Sequence, residues 1–129
     1  MRSVQANSFR GFAISVFALG HFFHDVYTSF LPPLLPLLIE KLSLTFASAG
    51  FLSVMMRLPS LLSPLIGAAA ERINPRYLVV AAPAISAVMM SCLGWAPGYG
   101  WLIVLIIITG FSSACFHVPA PVLLKRCAG

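Results

Sequence analysis

The sequence has 129 residues, of which 60% are hydrophobic and 9% are charged, and its mean hydropathy is +0.97. Soluble domains have closer to a quarter charged residues, so this composition excludes an ordinary water-soluble domain. We predict an all-α integral membrane protein whose first partner is the lipid bilayer. The net charge of +5 comes from scattered cations without a basic patch or interleaved aromatic residues, so no nucleic-acid partner is expected.

Four apolar segments follow one another along the chain, and we expect each to be a membrane-spanning helix. They cover about residues 12–39, 45–70, 75–95 and 101–124. The first would be roughly 40 Å long, which exceeds the ~30 Å hydrocarbon core, so it must tilt or kink. Its prolines predict the kink, and they are Pro32, Pro33 and Pro36. The segment is too long for a cleaved signal peptide and no cleavage site follows it.

Local signals mark the ends of these helices. Ser43 or Thr45 is a candidate N-cap for the second helix. Asn74 is a good N-cap for the third helix, and Pro75 suits its first turn. Residues 96–100 read as a tight turn before the fourth helix.

Loop cations predict the orientation in the membrane. Six fall on one side, namely Arg2, Arg10, Arg72, Arg76, Lys125 and Arg126. Lys41 alone falls on the other side. We therefore expect a multi-pass protein of a cell membrane with a cytoplasmic N-terminus. Trp95, Tyr99 and Trp101 should form an aromatic belt at the far interface, with Tyr77 at the near one.

A polar stripe interrupts the first helix. His21, Asp25 and Thr28 have i, i+4, i+7 spacing and share one face, and His24 lies beside Asp25. A charge at bilayer depth costs about 2.5–3.5 kcal/mol on insertion scales. The stripe should therefore face protein or water, and it is the first candidate for a functional site.

Arg57 and His117 are two further ionisable residues inside apolar segments, so they are also candidates for the functional site. At a rise of 1.5 Å per residue, Asp25 lies roughly 21 Å and Arg57 roughly 20 Å from the predicted cytoplasmic ends of their helices. His117 lies about 10 Å from the cytoplasmic end of the fourth helix. Asp25 and Arg57 either form a structural ion pair or line a wet cavity that binds protons or substrate. Histidine titrates near neutral pH, so His21, His24 and His117 are either proton relays or packed, hydrogen-bonded side chains.

Other site classes have little support in the sequence. Cys92, Cys115 and Cys127 form no CxxC pair, and we expect free thiols. No metal site and no cofactor is predicted, although two histidines can in principle hold a haem iron. We find no nucleophile–base pattern, metal-ligand spacing or phosphate loop, so we expect no enzyme activity.

The loop between the second and third helices resembles a known motif. Residues 67–76, Gly-Ala-Ala-Ala-Glu-Arg-Ile-Asn-Pro-Arg, are similar to the G-x-x-x-D/E-R-x-G-x-R/K loop of the major facilitator superfamily. Asn74 stands where that family usually has glycine, and asparagine also enters the left-handed region. The resemblance implies that Gly67, Glu71, Arg72 and Arg76 help to hold a cytoplasmic gate closed.

The wider pattern looks like the fosmidomycin-resistance branch of that superfamily. It rests on residues 21–25, 32–38, 58–62 and 112–121. The resemblance implies a proton-coupled exporter of a drug or small metabolite in a bacterial inner membrane. In that family the first and fourth helices line the central cavity, which would place His21, His24 and Asp25 opposite His117.

The family has twelve helices in two halves, with the site between them. We therefore expect this chain to be an N-terminal fragment, whose partners include the missing C-terminal helices and which does not transport alone. Two alternatives stay open at this stage. One is a complete four-helix dimeric transporter of the small multidrug resistance type, and the other is a non-transporting membrane subunit or assembly factor.

Overall fold

The structure is a computed structural model that describes the backbone of residues 2–128 and the side chains of residues 11–125. Over that range the chain folds into helices without strands. They are α1 (Arg2–Thr28), α2 (Leu31–Leu42), α3 (Phe46–Arg57), a 3-10 turn (Leu58–Leu62), α4 (Ser63–Arg72), α5 (Pro75–Cys92), a second 3-10 turn (Leu93–Trp95), α6 (Tyr99–His117) and α7 (Ala120–Ala128). The side chains of Arg2, Arg10, Arg126 and Cys127 lie outside the described residues.

These elements join into four spans that are long and apolar enough to cross a membrane. Span 1 is Gly11–Leu42, span 2 is Phe46–Arg72, span 3 is Pro75–Trp95 and span 4 is Tyr99–Lys125. The prediction of an all-α membrane protein with four spans is confirmed. Each span exceeds or matches the roughly 20 residues that a bilayer requires.

Span 1 breaks just before its prolines. α1 ends at Thr28 and α2 begins at Leu31, so Ser29 and Phe30 form the break. The N–H of Phe30 donates to the Tyr27 carbonyl, at 3.2 Å, in place of an α-helical bond. Pro32 and Pro33 lack amide donors, and each proline restricts the backbone conformation of the residue before it. These two effects explain the position of the break.

Span 2, which the sequence predicts as one helix, is also interrupted. A five-residue 3-10 turn separates α3 from α4, and Pro59 and Pro64 remove the amide donors there. Serine hydroxyls bond the local carbonyls instead. Ser60 Oγ donates to the Arg57 carbonyl at 2.7 Å, and Ser63 Oγ donates to the Ser60 carbonyl at 2.5 Å. Such bonds make a helix break acceptable at membrane depth.

Two predicted N-caps are confirmed. Thr45 Oγ1 accepts from the Ser48 N–H at 3.1 Å, and Asn74 Oδ1 accepts from the Arg76 N–H at 3.2 Å. Asn74 has an extended backbone (φ −68°, ψ 110°), as capping requires, so it does not use the left-handed region that asparagine tolerates. Ser43 is left-handed instead, with φ 50°, and ends α2.

Spans 3 and 4 form the centre of the bundle. α5 packs along α6, α1 packs on α5, and α3 with its 3-10 turn packs on α6. A buried polar contact joins the central pair, since Ser86 Oγ donates to Ser112 Oγ at 3.2 Å and Ser112 Oγ donates to the Ala82 carbonyl at 2.7 Å. Apolar clusters lie on either side of it; the larger comprises Leu31, Leu38, Leu52, Met90, Leu93, Ala96, Leu102 and Ile106.

Two hydrogen bonds tie the ends of the spans together near Lys41. Lys41 Nζ donates to the Gly94 carbonyl, and Tyr99 Oη donates to the Ser48 carbonyl at 2.9 Å. Tyr99 is therefore half-buried against the core, and its place in an aromatic belt stays a prediction. Trp95 and Trp101 are exposed, as is Tyr77 at the other end.

The outer faces of the spans are apolar and exposed. Between 17% and 39% of the 18-residue apolar stretch within each span is buried inside the bundle. The exposed side chains include Leu61, Leu65 and Val80. In water such faces would aggregate, whereas in a membrane they contact acyl chains or further helices.

Gly110 lets spans 2 and 4 approach closely. A Cβ placed on Gly110 would collide with the Met56 carbonyl and crowd the Pro59 ring, at 3.2 Å. The obstacle is backbone, which cannot rotate away. Gly110 therefore lies at a close contact between α6 and the end of α3, as small residues do in membrane helix pairs.

We predict that Gly110→Ala destabilises the bundle by about 1–3 kcal/mol, the usual cost of overpacking. Gly50→Ala is the matched control, because Gly50 lies in α3 with nothing within 4 Å of an added Cβ. Thermal unfolding of the purified protein in detergent should show a lower midpoint for Gly110→Ala and not for Gly50→Ala. Equal midpoints for the two variants would contradict the close contact.

Candidate functional site

Asp25 lies between two histidines from different spans. His21 Nε2 is 3.1 Å from Asp25 Oδ2, one helical turn away on α1. His117 Nε2, at the end of α6, is 3.5 Å from Asp25 Oδ1. We call these three residues the His–Asp–His cluster. All three side chains are partly exposed, at 41%, 49% and 44%.

This contact corrects the predicted depths. Counting from helix ends places Asp25 about 10 Å deeper than His117, whereas their side chains touch. Span 4 is broken between His117 and Ala120, so the rise of 1.5 Å per residue of one straight helix does not hold across residues 117–124. Distance from a helix end is therefore a poor measure of depth here.

His24 occupies a different environment from the cluster. It is fully buried, and its ring stacks on Phe116 with centroids 4.4 Å apart. Neither ring nitrogen has a hydrogen-bond partner among the described residues. His24 neighbours Asp25 in sequence but points into the bundle, since adjacent helical residues are about 100° apart.

Arg57 does not pair with Asp25. Within the part of the chain whose side chains are described, the ion-pair partners of Asp25 are His21 and His117. The Asp25–Arg57 ion pair considered from the sequence is thus absent from the fold. Similar distances along two helices do not determine the direction in which each side chain points, and α3 ends at Arg57.

Arg57 instead lines a partly open cavity of about 480 Å³ whose wall is both polar and apolar. Spans 1, 2 and 4 line this cavity, and we call it the central cavity. Its polar lining consists of Thr28, Ser29, Ser53, Arg57, Ser60, Ser63, Ser113 and His117. His117 therefore belongs to both the cavity wall and the His–Asp–His cluster.

Three helix breaks meet at the central cavity. They are Ser29–Phe30 in span 1, the 3-10 turn Leu58–Leu62 in span 2 and Val118–Pro119 in span 4. Each contributes at least one residue to the wall. Irregular backbone at membrane depth is tolerated where it is buried in protein or lines a cavity, and transporters place substrate sites at such discontinuous helices.

The loop motif lies apart from the central cavity. Gly67 faces the α6–α7 break, because a Cβ there would meet Val118 Cγ1 at 3.6 Å. Glu71, Arg72 and Arg76 are exposed, and among residues 11–125 none of them forms an ion pair within 4.0 Å. Their charges are accessible to a partner surface.

The sequence predicts no cavity role for most of the wall hydroxyls. Ser60 and Ser113 lie in the stretches that carry the branch resemblance, and Ser63 does not, although a Ser/Pro-rich stretch inside an apolar segment signals a broken helix beside a cavity. Ser113, on α6, has no local signal for a cavity. Its role depends on which side of α6 faces span 2.

Comparison with known proteins now defines the family. A family model for the Major Facilitator Superfamily matches residues 17–129. The chain belongs to the Major Facilitator Superfamily. It is a multi-pass membrane transporter protein, and the members of this superfamily are not enzymes. No curated protein and no solved structure matches the chain.

Membership in this superfamily decides one of the alternatives. A four-helix dimer of the small multidrug resistance type is a different family, so that alternative falls. The loop motif at residues 67–76 and the match over residues 17–129 agree with each other.

We predict that the central cavity is wet in the membrane. In a variant whose native cysteines are replaced by alanine, Ser113→Cys should react with a charged, membrane-impermeant thiol reagent. Phe111→Cys is the matched control, because Phe111 lies two residues away on α6 and is exposed on the outer apolar face. The two sites differ by about 3 Å in height.

Mass spectrometry after labelling in intact membranes measures the modified fraction. The expected result is extensive labelling of Ser113→Cys and little of Phe111→Cys, since thiolates form in water and not among acyl chains. Equal labelling of both variants would contradict a wet cavity with a dry outer face.

Proposed function

We propose that this chain supplies the first four helices of a proton-coupled efflux transporter of the fosmidomycin-resistance branch. The observation that carries the proposal is the Asp25 carboxylate, held between His21 and His117 beside the central cavity. The substrate would be a drug or small metabolite.

The proton would be carried by the His–Asp–His cluster. A carboxylate that loses contact with water is costly unless it is protonated or paired. Imidazole gains and loses protons near neutral pH, and both rings present Nε2 to the Asp25 carboxylate. Alternating exposure of the cavity would therefore load a proton on one side and release it on the other. Buried His24 would serve as a second station when the bundle opens.

The substrate would bind in the central cavity. Arg57 offers a planar guanidinium with several donors, which suits an anionic group. The serine and threonine hydroxyls of the wall supply neutral donors and acceptors around it. Arg57 and Asp25 thus take separate roles, because they are not paired with each other.

The loop motif would form the cytoplasmic gate. Gly67, Glu71, Arg72 and Arg76 lie at the end of the bundle where the cation bias predicts the cytoplasm, with the N-terminus on the same side. Their exposed charges would contact the remaining helices of the transporter. The protein would act in a cell membrane, with a bacterial inner membrane as the expected location.

We predict that Asp25→Asn abolishes proton-driven efflux. Cells that express the protein from its native reading frame should tolerate fosmidomycin better than cells with an empty vector, and the Asp25→Asn variant should remove that gain. Asparagine keeps the size of the side chain but cannot take up a proton. Glu40→Gln is the matched control, because Glu40 is an exposed carboxylate of α2 outside the cavity.

Substrate-dependent proton movement in everted vesicles, followed with a pH-sensitive dye, separates coupling from expression level. Proton movement that survives Asp25→Asn would overturn the coupling role. No gain in tolerance and no proton movement with the unaltered protein would overturn the fosmidomycin-like substrate.

We predict that Arg57→Gln weakens substrate binding more than turnover. Loss of a hydrogen bond to a charged group costs about 1.5–3 kcal/mol, so KM should rise about 10- to 100-fold while kcat changes little. Arg57→Lys keeps the charge and should give a smaller rise. Uptake of radiolabelled fosmidomycin into everted vesicles measures both constants, and an unchanged KM in Arg57→Gln would exclude the anion-binding role.

A further inference from the structure

Three potential metal ligands converge in the His–Asp–His cluster. The two contacts of the Asp25 carboxylate with imidazole nitrogens measure 3.1 Å and 3.5 Å. One ligand atom from each of His21, Asp25 and His117 lies within 4.8 Å of the other two. Span 1 supplies His21 and Asp25, and span 4 supplies His117. The three ligands therefore meet because the two spans pack together and not because of their spacing in the sequence alone.

The arrangement is close to what a zinc ion requires. Bonds of about 2.0–2.1 Å in tetrahedral geometry place ligand atoms about 3.3 Å apart. Each imidazole Nε2 lies within a few tenths of an ångström of that value from one Asp25 oxygen, which is Oδ2 for His21 and Oδ1 for His117. With one ligand atom from each residue, all separations lie within 4.8 Å, which is about 1.5 Å or less above the tetrahedral spacing.

We propose that His21, Asp25 and His117 bind one divalent transition-metal ion of the zinc type. Two imidazoles and one carboxylate are typical of zinc sites that keep a further position for water or another ligand. Magnesium and calcium prefer sites made of oxygen ligands, so this donor set selects against them.

The surroundings favour a cation. Asp25 supplies a negative charge, and α6 ends at His117, so the negative end of the α6 dipole lies beside the site. The side chains are partly exposed, and His117 lines the central cavity, so an ion from water reaches them. Zinc and protons would compete for the same nitrogen and oxygen atoms, and zinc binding is measured without transport, so its failure is distinguishable from failure of the proposed function.

Zinc binding to the purified protein tests the proposal. The protein is expressed from its native reading frame without a polyhistidine tag, and bound zinc is measured by equilibrium dialysis with elemental analysis. The expected result is one ion per chain. Each of three variants, His21→Gln, Asp25→Asn and His117→Gln, should weaken zinc binding. Loss of a hydrogen-bond partner of a metal ligand weakens binding about 10- to 100-fold, and loss of a ligand should weaken it at least as much. Glu40→Gln, which removes a carboxylate elsewhere, should bind as before.

A second measurement needs no substitution. Diethyl pyrocarbonate modifies accessible imidazoles, and mass spectrometry locates the products. Zinc should protect His21 and His117, magnesium should not, and buried His24 should stay unreactive throughout. The proposal is overturned if no zinc is retained, if the three variants bind as tightly as the unaltered protein, or if zinc leaves His21 and His117 as reactive as before.

Discussion

The contact between Asp25 and the two histidines is the interaction on which the candidate site depends. An isolated carboxylate at membrane depth is expensive, and the cost is met by imidazoles from spans 1 and 4 rather than by arginine. The contact joins α1 to α6 at the site, whereas α1 packs chiefly on α5. It also leaves Arg57 free to face the central cavity, so that one acidic and one basic group serve different purposes within a small volume.

The central cavity exists because three spans are broken at the same level. Proline removes amide donors in spans 1 and 2, and serine hydroxyls bond carbonyls in the 3-10 turn of span 2. Gly110 then lets α6 approach the end of α3 closely. The result is a polar pocket inside a bundle whose outer faces are apolar. A transporter needs that combination, because its substrate must be hydrated and bound while the protein stays in lipid.

Several features of this structure are predictable from the sequence because they depend on neighbouring residues. The four spans follow from hydropathy, the caps at Thr45 and Asn74 follow from side-chain chemistry, and the His21–Asp25 contact follows from i, i+4 spacing. Other features depend on how the spans rotate against each other, which local pattern does not encode. Sequence spacing therefore could not exclude an ion pair between Asp25 and Arg57, which the fold does not contain. The half-buried position of Tyr99 also depends on how the spans pack, because its hydroxyl donates to the Ser48 carbonyl of another span.

The most direct test of the central claim is a cross-link between α1 and α6 in the membrane. In a background without native cysteines, the double variant Asp25→Cys with His117→Cys should form an oxidised link, detected by mass spectrometry of the joined peptides. The pair Phe23→Cys with His117→Cys is the reference, because Phe23 is exposed on another face of α1. We predict efficient linking of the first pair and little of the second. Equal linking of both pairs, or linking of the reference pair alone, would contradict the contact between the two spans.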